Sequence, residues 1–206
     1  MFKIGITGGI GSGKTAVCMI FETLGIPVYH ADTCAKQLMN TDPELKSALK
    51  GCFGEGIYIN ETLDRRQLAD IIFNDPVALE MVNSCVHPAV ARDFENWCTM
   101  QTSPYLIEEA AIIFESGMAQ RFDKVILVTA PENLRIERVC ARDQITPELV
   151  RKRMDNQWSD EKKIPLADYI ICNDNEHLLT PQVVEIHHAI INKGKNTYIQ
   201  GNLGTE

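Results

Sequence analysis

The sequence predicts an α/β fold built on a five-stranded parallel sheet flanked by helices, and three observations predict it. Five short apolar runs, "FKIGIT", "PVYHA", "PYLIEEA", "KVILVTA" and "DYIIC", are rich in β-branched residues, as expected of parallel strands buried on both faces. Longer helix-patterned segments separate these runs, which is the spacing of helical crossovers. Four glycines, Gly8, Gly9, Gly11 and Gly13, follow the first run and precede a helix-like segment with Val17, Ile20, Phe21 and Leu24 on its apolar face.

Helix starts are marked at Asp42-Pro43, Asp75-Pro76, Thr146-Pro147 and Thr180-Pro181. A capping Asp or Thr accepts an orphan N–H, and proline is tolerated at the first helical position. Between the second and third runs lies a span far longer than one crossover needs. It predicts a helical insertion over about 33–102, serving as a substrate cover. A second, arginine-rich helical insertion over about 131–166 predicts a lid. The core of this single domain of 206 residues is then about 1–32, 103–130 and 167–195. The polar tail "NKGKNTYIQGNLGTE" reads as loose.

A net charge of −8 and a pI near 5.2 argue against a protein that coats nucleic acid or an anionic membrane. No stretch approaches the roughly 18 apolar residues of a membrane span. The seven cysteines are odd in number and lack C-x-x-C spacing. They read mostly as small buried apolar residues in a reducing, cytoplasmic setting. The sequence sets no oligomeric state; a monomer is compatible with it.

The loop Gly8-Gly9-Ile10-Gly11-Ser12-Gly13-Lys14-Thr15 matches G-x-x-x-x-G-K-[ST], the P-loop, placed after a strand and before a helix as the motif requires. Consecutive N–H groups and the helix N-terminus make an anion nest for the phosphates of ATP, with Ala16 continuing the cradle into the helix. Lys14 is expected to reach the β- and γ-phosphates and the Thr15 hydroxyl to bind Mg2+. The alternative, a chance glycine turn, arises in roughly one chain in a hundred of this length before the flanking elements are counted.

The acceptor side decides which P-loop chemistry follows. No D-x-x-G or N-K-x-D element of a GTP switch occurs. Small size and two helical insertions suit a small-molecule kinase, which must keep water from the γ-phosphate. Asp32 follows the second strand at the sheet edge that carries the P-loop, where a carboxylate can take the acceptor's proton. Its alternative role is a helix cap at the start of "ADTCAKQL". Arg135, Arg138 and Arg142 fall at i, i+3 and i+7 on one helix face, placed to neutralise phosphate charge or, for Arg135, to sit on a solvated face. Glu108, Glu109 and Glu115 lie near the end of the third strand or just beyond it, where a carboxylate can hold Mg2+ through water or bind an acceptor. Adjacent strand residues face opposite sides, so at most one of the first pair points into a site. Two rival readings remain: a P-loop kinase with another small acceptor, and a regulatory protein that hydrolyses ATP to change shape.

Several separated segments together resemble the dephospho-CoA kinase family. They are the P-loop itself; His30-Ala31-Asp32, matching D-A-D; "LDRRQLADIIF" and Val86-His87-Pro88; Ala111 to Glu115, matching P-L-L-F-E; Arg138 to Thr146, matching R-x-x-x-R-D-x-x-T; and "ADYIICN". The resemblance runs from about Phe2 to Asn173. It implies a P-loop NTPase fold and transfer of the ATP γ-phosphate to the 3′-hydroxyl of dephospho-CoA with Mg2+. It further implies Asp32 as base, Lys14 and Arg142 on the transferring phosphoryl group, Arg138 on the nucleotide and Asn173 near adenine. Arg66, His87 and Glu115 fall in the acceptor region. The chain departs from the pattern at His30 and Cys172, which replace aspartates, at Ala111, which replaces proline, and at Asn175, which replaces glycine.

Overall fold

The computed structural model of the protein describes residues 1–200, side chains of Asn74 and 193–200 excepted. It divides into two compact units: Met1–Tyr29 with Gln101–Glu206, and His30–Met100.

The first unit is organised by the sheet. β1 (Phe2–Thr7) is central, with β5 (Tyr105–Glu109) on one side and β6 (Lys124–Thr129) on the other, both parallel to it. β7 (Tyr169–Cys172) pairs parallel to β6, and β2 (Val28–His30) lies outside β5, giving the order β2-β5-β1-β6-β7. All five strands fall on the five apolar runs. The order reverses at β1, so a crevice opens beyond its carboxyl end, where open α/β sheets bind ligands.

One sheet face is covered by α1 (Lys14–Thr23) and α9 (Leu179–Gln200). Alternate strand residues Ile4, Ile6, Tyr105, Ile107, Ile126 and Val128 pack there against Val17, Phe21, Val183 and Ile190. Phe21 meets Tyr105 edge-on with ring centroids 6.5 Å apart, and the buried Tyr105 hydroxyl is 2.7 Å from His187 Nδ1. A smaller cluster joins α6 (Glu132–Asp143) and α7 (Pro147–Met154): Ile136, Val139 and Val150 enclose Ile10, from the tip of the glycine loop.

In the second unit, α2 (Ala31–Thr41), α3 (Pro43–Phe53), α4 (Arg65–Asn74) and α5 (Pro76–Thr99) surround a hairpin of β3 (Tyr58–Ile59) and β4 (Thr62–Leu63). Asp42 and Asp75 each accept from two N–H groups of the helix that follows, with proline at its first position. α5 continues through Pro88.

The structure departs from the sequence reading in five places. The hairpin was not expected. Thr146 precedes α7 but makes no side-chain cap bond. Thr180 lies inside α9, which starts at Leu179, because proline is tolerated anywhere in a first turn where no N–H partner is lost. The tail is helical to Gln200, a single glycine there being affordable within a long helix; 201–206 lie outside the described residues. Of the cysteines, only Cys18 and Cys98 are buried, and Cys52 is exposed with its Sγ 3.9 Å from Cys85 Sγ. Among the described residues, no helix is long and apolar enough to cross a membrane.

Candidate active site

The phosphate loop is shaped by what presses on it. β1 ends at Thr7 and α1 begins at Lys14, with Gly13 as its N-cap in the left-handed region at φ 92°. A Cβ on Gly13 would lie 2.0 Å from the Asn173 amide nitrogen. Gly11, at φ 79°, would place its Cβ 2.5 Å from the Arg135 carbonyl oxygen. The loop therefore has glycine where α6 and the turn after β7 close on its backbone. Ser12 N–H donates to Gly9 O at 3.1 Å, whereas the Gly11 and Gly13 N–H groups donate to no acceptor among the described residues. Those donors and the start of α1 form the anion nest.

Gly13→Ala is expected to destabilise the protein by about 1–2 kcal/mol through left-handed backbone alone. Displacement of the Asn173 contact adds to that loss. Thermal denaturation measures it, and an unchanged midpoint would contradict this account of the loop.

Lys14 Nζ donates to Gly8 O at 2.9 Å, which holds the ammonium across the mouth of the loop. Thr15 and Ala16 are exposed on the first turn of α1, and Ser12 is buried. Thr15 has an oxygen donor without a protein partner among the described residues, the donor type Mg2+ prefers. On β5, Glu109 has the same alternation as Tyr105 and Ile107 and thus shares the face covered by α1. Burial first, and then the Glu109 carboxylate, push the pKa of the Cys18 thiol on α1 upward. Glu108 takes the opposite face.

The three α6 arginines separate. Arg135 is buried: its Nε donates to Ile10 O at 3.0 Å, and Nη1 lies 3.6 Å from Asp160 Oδ2. A solvated role for Arg135 is therefore wrong; a loop carbonyl distant in sequence receives it. Burial raises the Asp160 carboxyl's pKa against the opposing pull of Arg135 and Lys163. Arg138 Nη2 donates to Asn175 Oδ1 at 2.7 Å and to Asn173 Oδ1 at 3.4 Å. Asn173 Nδ2 in turn donates to Ser12 O at 2.8 Å, so Arg138, Asn173 and the loop form one chain of contacts. Asn175 adopts φ 71°, a left-handed conformation asparagine tolerates better than most residues, and this accounts for it at a glycine position. Arg142 instead makes a two-pronged bond to Asp143, at 2.7 and 3.1 Å, which also pairs with Arg153 at 2.7 Å. The Asp143 side-chain hydrogen bond raises the Arg142 pKa.

Glu115 sits on a buried pair. Its Oε1 lies 2.7 Å from Lys163 Nζ, on a fully buried side chain, and accepts from Trp158 N–H at 3.0 Å. Its Oε2 is buried without a hydrogen bond among the described residues. Ile10 N–H donates to Gln157 Oε1 at 2.8 Å, a second tie between the glycine loop and the segment after α7. Gln157, Lys163 and the Asn175 contact were not read from the sequence as site elements, and the burial of Arg135 was not foreseen. The Lys163 run "SDEKKIPLAD" is polar and gives no sign that one of its lysines is enclosed.

Asp32, Arg66 and His87 belong to the second unit. His30 occupies the N-cap position of α2 without a side-chain cap bond, and Asp32 stands exposed in the first turn with no hydrogen bond among the described residues. It is thus not the cap that one reading of "ADTCAKQL" required. Arg66 is exposed near the start of α4, where Asp64 accepts from its backbone N–H, and His87 is exposed on α5.

The family model for dephospho-CoA kinase matches residues 2–178. A dephospho-CoA kinase of Porphyromonas gingivalis is 44% identical over 197 residues, covering 95% of this chain and 98% of that one. A crystal structure from Thermus thermophilus superposes with a TM-score of 0.83 at 31% identity, covering 91% and 96% of the two chains. A dephospho-CoA kinase from Campylobacter jejuni superposes with a TM-score of 0.67 at 26% identity, covering 93% and 98%. With a phosphate loop closed by Arg135, Arg138 and Asn173, and a match along most of its length, the chain belongs to the dephospho-CoA kinase family.

Proposed function

We propose that the protein transfers the γ-phosphate of ATP to the 3′-hydroxyl of the ribose of dephospho-CoA, giving CoA and ADP in the final step of coenzyme A biosynthesis. The observation that carries this reading is the phosphate loop, with free N–H donors and a clasp from Arg138 and Asn173, in a chain of this family. Gly8 to Ala16 cradle the triphosphate, Arg138 flanks it, and Asn173 stands at the adenine end. Lys14 leaves the Gly8 carbonyl to follow the phosphoryl group during transfer. Arg142 opens from Asp143 onto the same charge, which in-line transfer spreads over the equatorial oxygens.

Asp32 accepts the proton of the 3′-hydroxyl as its oxygen attacks the γ-phosphorus; the bond to the β,γ-bridging oxygen breaks, and ADP leaves with that electron pair. Arg66 and His87 contact the acceptor, and Glu115 borders the acceptor region while its Oε1 is held by Lys163 and Trp158. When bound, Mg2+ neutralises charge on the phosphate oxygens, and the Thr15 hydroxyl is the residue placed to hold it. The lid over 131–166 excludes water from the transfer.

ADP release in Mg-ATP, followed with and without dephospho-CoA, tests the proposal. Release that depends on the acceptor, with slow turnover in water alone, is the expected result. Equal release in both conditions would point to an ATPase and overturn the reading.

A further inference from the structure

The turn after β7 gathers a thiol, a carboxylate and an imidazole onto one point. Cys172, Asp174 and His177 each present one donor atom, and these atoms lie within 4.8 Å of one another. Asp174 Oδ2 is the hub: it accepts from Cys172 Sγ at 3.2 Å and lies 2.8 Å from His177 Nδ1. Asp174 Oδ1 accepts from the Glu176 and His177 N–H groups, each at 2.9 Å, so the carboxylate is oriented by backbone. The Cys172 backbone is fixed separately, its N–H and C=O bonded to the Gln182 side-chain amide at 2.9 and 3.0 Å.

We propose that Cys172, Asp174 and His177 form a site for one divalent transition-metal ion of the zinc type, a proposal independent of the transfer reaction. The donor set is one sulfur, one imidazole nitrogen and one carboxylate oxygen, which suits Zn2+ or Co2+. It does not suit Mg2+, which demands oxygen donors in octahedral array. Tetrahedral coordination at ordinary zinc bond lengths separates such ligands by about 3.3–3.6 Å. The two separations at Oδ2, 3.2 and 2.8 Å, need to open by only about half an ångström or less. Binding releases the thiol proton, and a second proton when the imidazole is cationic, so affinity rises with pH. The His177 side chain is 66% exposed, which leaves solvent to supply the ion and the remaining ligand. The same turn carries Asn173 and Asn175, the partners of Arg138, so an ion there would also stiffen the nucleotide clasp.

The test uses the full chain, reduced and stripped of metal, titrated with Zn2+ against a chromophoric chelator and separately with Co2+. The expected result is one ion per chain, with a sulfur-to-cobalt charge-transfer band that millimolar Mg2+ leaves in place. Cys172→Ser abolishes the band and weakens zinc binding by on the order of 100-fold; His177→Ala, on an exposed side chain that folding does not need, weakens it by about 10- to 100-fold. The double variant Cys52→Ser/Cys85→Ser retains full binding, which separates this site from the other pair of neighbouring thiols. Circular dichroism confirms that each variant is folded. Undiminished zinc binding in Cys172→Ser, loss of binding in the Cys52/Cys85 variant, or no binding by the wild-type chain would each overturn the assignment.

Discussion

Asp32→Asn is expected to bind ATP within about twofold of the wild type and to lose phosphoryl transfer by about 10²- to 10⁴-fold, the usual contribution of a general base. Asparagine keeps the shape of the side chain but cannot take the acceptor's proton. The loss therefore falls on kcat, with little change in the KM for ATP. Structural damage would not produce the same pattern, because Asp32 is exposed, is not the cap of α2 and makes no hydrogen bond among the described residues. Its fold contribution is confined to a favourable charge in the first helical turn, about 0.3–1 kcal/mol. Initial rates with a thermal melt on the same sample separate the two; a variant that transfers at the wild-type rate would remove Asp32 from the chemistry.

Glu115→Ala is expected to cost about 3–5 kcal/mol of stability, because it strands the buried Lys163 ammonium without its counter-charge. For a chain of this size that is a fall in midpoint on the order of 10 °C. The same substitution releases Trp158 N–H, loosening the segment that also ties Gln157 to the glycine loop. Removing both charges, as Glu115→Gln with Lys163→Met, restores most of the loss, since an apolar chain in that enclosure carries no desolvation penalty. Urea denaturation of the two variants checks the claim, and equal destabilisation by both would show that packing rather than charge holds the site.

The five sheet strands were legible because each is a short apolar run bounded by turn residues, and the phosphate loop because its glycines are tied to one motif. Asp42 and Asp75 announced α3 and α5 through the proline that follows each. The β3–β4 hairpin gave no such signal. Its strands have two residues each, too short for alternation, and its turn residues Asn60 and Glu61 adopt φ 49° and 64° without a glycine. Arg135 and Lys163 escaped for a different reason: each lies in a charged stretch, and only tertiary contact supplies the Ile10 carbonyl and the Glu115 carboxylate that make burial tolerable. Periodicity reports which face of a helix is apolar; it does not report a distant partner for a charge. Arg138 was legible from its spacing on one helix face, Asn173 only through family resemblance, and the structure adds that they touch.

The measurement that bears most directly on the central claim is mass and positional analysis of the product formed from Mg-ATP and dephospho-CoA. One new species is expected, heavier by a single phosphoryl group carried on the ribose 3′-oxygen, formed only with enzyme and acceptor together. Intact dephospho-CoA beside bound or hydrolysed ATP, or a phosphoryl group on another oxygen, would contradict it.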